Sequence, residues 1–169
     1  MKVMKFGGTS VGSAQRIKKV AELVSRGGRN IVVLSAMSGT TNSLVEITEY
    51  LFNRNPDGAS ETIDRLAAKY RATIAELFGT AEVREQAQQY TDGVFDYLRT
   101  FAKKLFTQVE AKIIIGQGEL LSTKLMELAN TPAAFKKLYK RNYIILYRFW
   151  QKLHTKTAQF TKLRGFGYR

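Results

Sequence analysis

Two short segments rich in glycine and hydroxyl side chains carry residue types that bind anions. The first, Lys5-Phe6-Gly7-Gly8-Thr9-Ser10, ends an apolar run that begins at Val3. Glycines let backbone N–H groups approach an anion closely, Lys5 adds a movable cation, and Thr9 and Ser10 add hydroxyl donors. The segment therefore suits a phosphate group, although it is neither a Walker A motif nor a GxGxxG motif. A tight strand-to-helix turn without any ligand explains the two glycines equally well.

The second segment, Ser35 to Asn42, follows the apolar run Ile31–Leu34, which is typical of a strand buried on both faces of a parallel sheet. The carboxyl ends of parallel strands share one edge, where α/β proteins bind their ligands. The small residues leave room for a substrate, and four hydroxyl groups can hydrogen-bond it: Ser35, Ser38, Thr40 and Thr41. The alternative is a hydroxyl-rich loop that only caps the next helix, with Asn42 as the capping residue.

The third candidate is Glu119, which follows Gly116-Gln117-Gly118. These glycines predict a break in the chain, with a helix opening at Glu119 and running to Met126. A glutamate there either interacts with the helix dipole or presents a carboxylate to an ammonium group of a ligand. The preceding Ile113–Ile115 fits a short strand or an apolar connector, and three residues do not decide between them.

The elements that must position these segments alternate between strands and helices. A strand at residues 3–6, a helix from the N-cap Ser13 to about Arg26 and a strand at residues 31–34 form a βαβ unit. After the turn signal Asn55–Gly58, two helical stretches follow at about residues 60–78 and 81–106. We expect an α/β domain with a helical insertion.

Composition excludes several classes of function. The 169 residues include no cysteine and a single histidine, His154, which excludes disulfides and cysteine nucleophiles and argues against a thiolate or histidine metal site. No apolar run is long enough for a transmembrane helix, and the N-terminal apolar stretch is too short for a secretory signal. We expect a soluble, cytoplasmic protein with no membrane partner.

Charge is distributed unevenly along the chain. The net charge is +13, and residues 127–169 hold 10 of the 27 basic residues, 1 of the 14 acidic residues and 9 of the 19 aromatic residues. This shift predicts two pieces, residues 1–126 and a basic aromatic tail at residues 127–169 that is irregular or helical. The tail is typical of an out-of-frame translation after a frameshift or truncation; a natural extension is the alternative. A basic aromatic segment could also bind nucleic acid through phosphate contacts and base stacking.

The motifs KFGGTSV, LSAMSGTTN and GQGELLS, in this order, resemble those of the aspartokinases, a group within the amino acid kinase family. The resemblance covers about residues 1–126. It implies the N-terminal part of a three-layer α/β/α sandwich around a mainly parallel sheet. It also implies ATP- and Mg²⁺-dependent phosphorylation of the β-carboxylate of L-aspartate. The product, aspartyl phosphate, opens the biosynthesis of lysine, threonine and methionine.

The resemblance also assigns residues. It places the segment Lys5, Phe6, Gly7, Gly8, Thr9 and Ser10 at the ATP phosphates, with Lys5 neutralising charge on the transferred group. It places Ser35, Ala36, Thr41 and Glu119 at the aspartate, with Glu119 pairing with the substrate ammonium group, and it assigns no metal ligand. Members of the family are usually oligomers. Because no match is recognisable after Met126, we expect an incomplete, inactive chain, with a basic nucleic-acid-associated protein as the alternative.

Overall fold

The computed structural model describes residues 2–26, 30–103 and 105–129 and the backbone of a short strand at residues 143–145. Three parallel strands form one sheet in the order β1 (Lys2–Phe6), β2 (Asn30–Leu34) and β3 (Tyr143–Ile145). The helices are α1 (Ala14–Ser25), α2 (Thr40–Phe52), α3 (Pro56–Leu77), α4 (Ala81–Thr100) and α5 (Gln108–Ala129), with a 3₁₀ turn at Phe101–Lys103. The predicted α/β class is confirmed, with many helices around a small parallel sheet.

The predicted βαβ unit is present as β1, α1 and β2. Ser13 caps α1, since its side chain accepts a hydrogen bond from the backbone N–H of Arg16 at 3.4 Å. The apolar face of α1 is buried, and β2 is largely buried because it lies between the two other strands. This unit fixes where the chain leaves the sheet at Phe6 and at Leu34.

The helical insertion consists of α3 and α4, which pack on each other and on α2 and α5. Tyr70 of α3 and Phe95 of α4 meet edge to face in the core, with ring centroids 5.7 Å apart. Helix α3 begins at Pro56, earlier than predicted, because the Asn55 side chain accepts a hydrogen bond from the Gly58 N–H at 3.0 Å. Proline fits the first helical turn, where its missing N–H needs no partner. The segment Asn55–Gly58 therefore starts a helix.

Two further helix boundaries differ from the prediction. Helix α2 begins at Thr40 after Gly39, whose φ of 77° is left-handed and favours glycine, and Asn42 lies exposed inside the helix instead of capping it. Helix α4 ends at Thr100, before the predicted end at residue 106. The 3₁₀ turn that follows buries Phe101 and leads to Phe106, whose ring packs on Phe52 at 4.8 Å.

The largest correction concerns α5, which is one continuous helix from Gln108 to Ala129. Ile113–Ile115 is neither a strand nor a connector, and Gly116-Gln117-Gly118 does not break the chain. Glu119 lies in the middle of the helix, so its interpretation as a helix-opening residue is wrong. Glycine inside a helix costs about 1 kcal/mol relative to alanine. Gly118 has room only for a hydrogen atom, because a Cβ there would lie 2.8 Å from the Ala36 Cβ.

The predicted division near residue 126 falls inside α5, which runs on to Ala129. Beyond that point only the backbone of β3 is described, so the predicted character of the tail lies outside the described residues and stays a prediction. Among the helices of the described part, none is long and apolar enough to cross a membrane.

Candidate active site

The loops after β1 and β2 lie side by side at the carboxyl edge of the sheet. Parallel register places Phe6 beside Leu34, and the Ser35 N–H continues the pairing by donating to the Phe6 carbonyl at 3.1 Å. Further along, the Ser38 hydroxyl donates to the Gly8 carbonyl at 3.0 Å. The two loops that the sequence singled out are therefore in direct contact.

The glycine loop separates into a packed position and an open one. A Cβ at Gly8 would lie 2.7 Å from the Ala36 carbonyl oxygen, so only glycine allows this approach. A Cβ at Gly7 would meet no described residue within 4 Å. The Ser10 N–H is used inside the loop, because it donates to the Gly7 carbonyl at 2.9 Å. The open side at Gly7 is thus where a ligand can approach the backbone.

Ala36 is the point where all three sequence motifs meet. Its carbonyl faces Gly8, and its methyl group would lie 2.8 Å from a Cβ on Gly118 of α5. The same position on Gly118 lies 3.3 Å from the Thr40 Cγ2. Glu119 follows directly in α5 and is 7% exposed. The structure thus brings the third motif against the loop after β2, as its interpretation as a substrate pocket requires.

A buried hydroxyl cluster, formed by Thr40, Tyr70 and Ser122, lies beside Glu119. The Thr40 and Tyr70 hydroxyls hydrogen-bond at 3.1 Å, and within the described part of the chain the buried Ser122 Oγ has no hydrogen-bond partner. Burial raises the pKa of Tyr70, hydrogen bonding with Thr40 and a weaker contact with Ser122 lower it, and the charge of Glu119 raises it. The net direction of the pKa shift is upward, so Tyr70 stays protonated and its hydroxyl is able to donate one hydrogen bond and to accept another.

Cations surround the two loops. The Arg16 side chain donates to the Thr9 carbonyl at 2.7 Å, and the Lys69 ammonium donates to the Ser38 carbonyl. Partial burial lowers the pKa of Lys69. Lys5 is exposed at the end of β1. Positive charge around small, open loops favours an anionic ligand.

The predicted site residues differ in burial. Ala36 and Glu119 are buried, Ser35 and Thr41 are half-buried, and of the glycine loop Phe6 and Gly8 are half-buried while Lys5, Gly7, Thr9 and Ser10 are exposed. Their individual roles stay predictions.

Sequence reasoning named the Thr40 hydroxyl as a possible hydrogen-bonding group, but it did not assign Tyr70 or Ser122 to the site. Ser122 could have been found, because it follows Glu119 by three residues and shares its helix face. Tyr70 comes from the distant helix α3, and no local pattern marks it.

Comparisons with known proteins point to one family. The model of the amino acid kinase family matches residues 1–148. An aspartokinase of Chlamydia trachomatis is 29% identical over 148 residues, covering 85% of this chain and 31% of that protein. A bifunctional aspartokinase/homoserine dehydrogenase of Arabidopsis thaliana is 29% identical over 131 residues, covering 73% of this chain and 14% of that protein.

The fold agrees as well. The structure of E. coli aspartokinase III in complex with aspartate and ADP superposes with a TM-score of 0.62 at 28% identity, covering 76% of this chain and 28% of that one. The chain thus spans less than a third of the length of each of these proteins. The family match also runs past residue 126 and includes β3. The resemblance seen in the motifs is confirmed: the chain is similar to aspartokinases, and it belongs to the amino acid kinase family.

Proposed function

We propose that this chain contributes to ATP-dependent transfer of a phosphoryl group to the β-carboxylate of L-aspartate, which gives aspartyl phosphate and ADP. The observation that carries the proposal is the meeting of Gly8 and Gly118 on Ala36, which joins an anion-binding loop to the helix of a buried carboxylate. The similar aspartokinase III of E. coli was solved with aspartate and ADP. We place the reaction in the cytoplasm, in the biosynthesis of lysine, threonine and methionine, on a three-layer α/β/α sandwich.

The glycine loop is the proposed phosphate side of the site. Phosphoryl transfer needs positioning and neutralisation of charge more than covalent chemistry from the protein. The open backbone at Gly7 allows a phosphate to come close, and Lys5 at the end of β1 supplies a cation beside it. Arg16 and Lys69 add positive charge while they hold the loop carbonyls of Thr9 and Ser38.

The loop after β2 and the middle of α5 form the proposed aspartate side. Ser35 and Thr41 offer hydroxyl groups, Ala36 leaves room, and Glu119 offers a carboxylate. Because Glu119 is 7% exposed, an ammonium group that pairs with it is poorly screened by water, and the attraction is stronger than at the surface. This arrangement suits a substrate that has an ammonium group and a carboxylate to be phosphorylated.

The family resemblance also implies Mg²⁺. Among the described residues, no group of three or more histidine or acidic side chains could hold a metal ion. The described residues therefore do not fit a metal cage made of protein ligands alone. Mg²⁺ is commonly carried by substrate phosphates with one or two carboxylates, so we propose that it arrives as a companion of ATP.

The first test uses full-length E. coli aspartokinase III in which the matching segment is replaced by residues 2–129 of this chain. With ATP, Mg²⁺, L-aspartate and hydroxylamine, we expect aspartyl hydroxamate to form. Lys5→Ala should lower kcat by about 100-fold or more and leave the KM for aspartate within about twofold, because it removes charge stabilisation in the transition state.

Lys2→Ala is the matched control, since Lys2 is also exposed and also on β1. If the Lys5→Ala enzyme turns over as fast as the Lys2→Ala enzyme, the role of Lys5 is wrong. In the same assay we expect no turnover from the 169-residue polypeptide by itself, because it spans less than a third of each similar kinase and does not hold both reactants in line. Loss of that orientation forfeits about 7–11 kcal/mol of barrier reduction.

A further inference from the structure

We propose that Tyr70, which belongs to the helical insertion, is a positioning residue for the aspartate site. Its hydroxyl hydrogen-bonds to Thr40 at the start of α2 and lies near the face of α5 that carries Ser122 and Glu119. It would thereby fix the spacing between the Glu119 carboxylate and residues 35–41. This inference rests on the proposed function, because it assigns a task within the proposed aspartate pocket.

The position of the Tyr70 ring does not depend on its hydroxyl. The side chain is fully buried, and its ring meets Phe95 edge to face with centroids 5.7 Å apart. A phenylalanine at this position keeps those apolar contacts. Apolar packing therefore does not explain why this position carries a hydroxyl group. The hydroxyl oxygen lies 3.1 Å from the Thr40 Oγ1.

The partners of that hydroxyl belong to the two walls of the proposed pocket. Thr40 is the first residue of α2 and is fully buried, and its methyl group faces Gly118. Ser122 lies one helical turn after Glu119, is 3% exposed, and its Oγ has no hydrogen bond of normal geometry in the described structure. The Tyr70 hydroxyl lies near both of these hydroxyls. A tyrosine hydroxyl can donate once and accept once, so it can serve both neighbours.

Removal of the Tyr70 hydroxyl should therefore disturb both walls together. The Thr40 Oγ1 would lose its hydrogen bond to Tyr70, and the buried Ser122 would lose a neighbouring hydroxyl. A buried polar group without a partner carries a desolvation penalty, which favours a shift of the chain or a new partner. Since Glu119 is on the same face of α5 as Ser122, such a shift changes the position of the carboxylate.

Binding of two matched ligands to the complete 169-residue chain tests this role. Succinate is L-aspartate without its amino group, so a difference between the two ligands reports the contact made by the ammonium group. We expect the ¹⁵N NMR titration of the unsubstituted chain to show tighter binding of L-aspartate than of succinate. Tyr70→Phe should raise the Kd for L-aspartate about five- to tenfold and the Kd for succinate less than about twofold. Tyr90→Phe is the control, because Tyr90 is a half-buried tyrosine of α4 that stacks with Lys124 instead.

The outcomes separate this inference from the proposed function. If the unsubstituted chain shows no preference for L-aspartate, the proposed function fails and the role of Tyr70 fails with it. If the preference exists and Tyr70→Phe leaves it unchanged, only the role of Tyr70 is overturned. Equal weakening of both ligands indicates general loosening and also overturns it.

Thr40 offers an independent pair of variants in case the Tyr70→Phe chain does not fold. Thr40→Val removes the hydroxyl that Tyr70 contacts, whereas Thr40→Ser keeps it. We expect Thr40→Val to lose the preference for L-aspartate and Thr40→Ser to retain it. Equal behaviour of these two variants would overturn the inference.

Discussion

Gly118→Ala probes the close approach of α5 to the loop after β2. The added methyl would lie 2.8 Å from the Ala36 Cβ, 3.2 Å from the Leu44 Cδ1 and 3.3 Å from the Thr40 Cγ2. The first of these distances is shorter than real Cβ contacts allow, so the helix or the loop must move. Overpacking of a core in this way costs about 1–3 kcal/mol. The helix gains about 1 kcal/mol in the opposite direction, because alanine favours a helix interior more than glycine does.

Gly93→Ala separates these two effects. Gly93 also lies inside a helix, α4, but a Cβ there meets nothing within 4 Å. In this control the substitution should act only through the higher helix propensity of alanine, and it should stabilise the chain by about 1 kcal/mol. Gly118→Ala should be neutral or destabilising by up to about 2 kcal/mol, so that the two variants differ by about 1–3 kcal/mol.

Urea unfolding of the complete chain, followed by far-ultraviolet circular dichroism, measures both variants. The midpoint and the slope give the free energy of unfolding, and an unchanged slope confirms that the two variants are comparable. Gly118→Ala should also weaken L-aspartate binding, whereas Gly93→Ala should not. If Gly118→Ala stabilises the chain as much as Gly93→Ala does, then α5 does not press against Ala36 and the assembled site is refuted.

Two further variants address the edges of the site. Gly7→Ala should leave the free energy of unfolding unchanged within about 0.5 kcal/mol, because the added Cβ meets nothing among the described residues, yet it should weaken ADP binding. Unaltered ADP affinity would count against phosphate contact there. Hydrogen bonds with Thr107 lower the pKa of Glu110 in the folded chain. The stabilisation that results is complete above the ordinary pKa of a glutamate and is lost as the pH falls through the lowered pKa of the folded state. Glu110→Gln should therefore remove this part of the pH dependence of stability. Urea midpoints measured from pH 7 down to pH 3 check this, and a parallel decline of both proteins would contradict it.

The sheet and its loops were predictable because their signals are local. Ile31–Leu34 is apolar throughout, as a strand with neighbours on both sides must be, and glycines end β1 at a clear boundary. Parallel pairing then places both following loops at one edge, whatever the rest of the chain does. The contact between the Ser38 hydroxyl and the Gly8 carbonyl follows from that placement.

Helix α5 was missed because two strong local signals opposed it. Three β-branched residues in a row favour a strand, and two nearby glycines favour a break. Tertiary packing overrides both, since Ile114 and Gly118 are buried against neighbouring elements. A correct signal was present in Thr107 and Glu110, which form a capping box: the Thr107 N–H donates to the Glu110 carboxylate at 3.0 Å. This pair marks a helix start just before Gln108.

The glycines of the first motif illustrate why sequence alone left its function open. Packing fully explains Gly8, because the Ala36 carbonyl occupies the space of a side chain, so this glycine by itself is no evidence for a ligand. Packing does not explain Gly7, which borders open space and does not adopt the left-handed backbone that requires glycine. We propose that a ligand supplies the reason for this glycine, which lies close in the chain to the exposed Lys5. The phosphate proposal therefore depends on Gly7 and Lys5, while Gly8 and Gly118 allow the glycine loop and helix α5 to pack closely against Ala36.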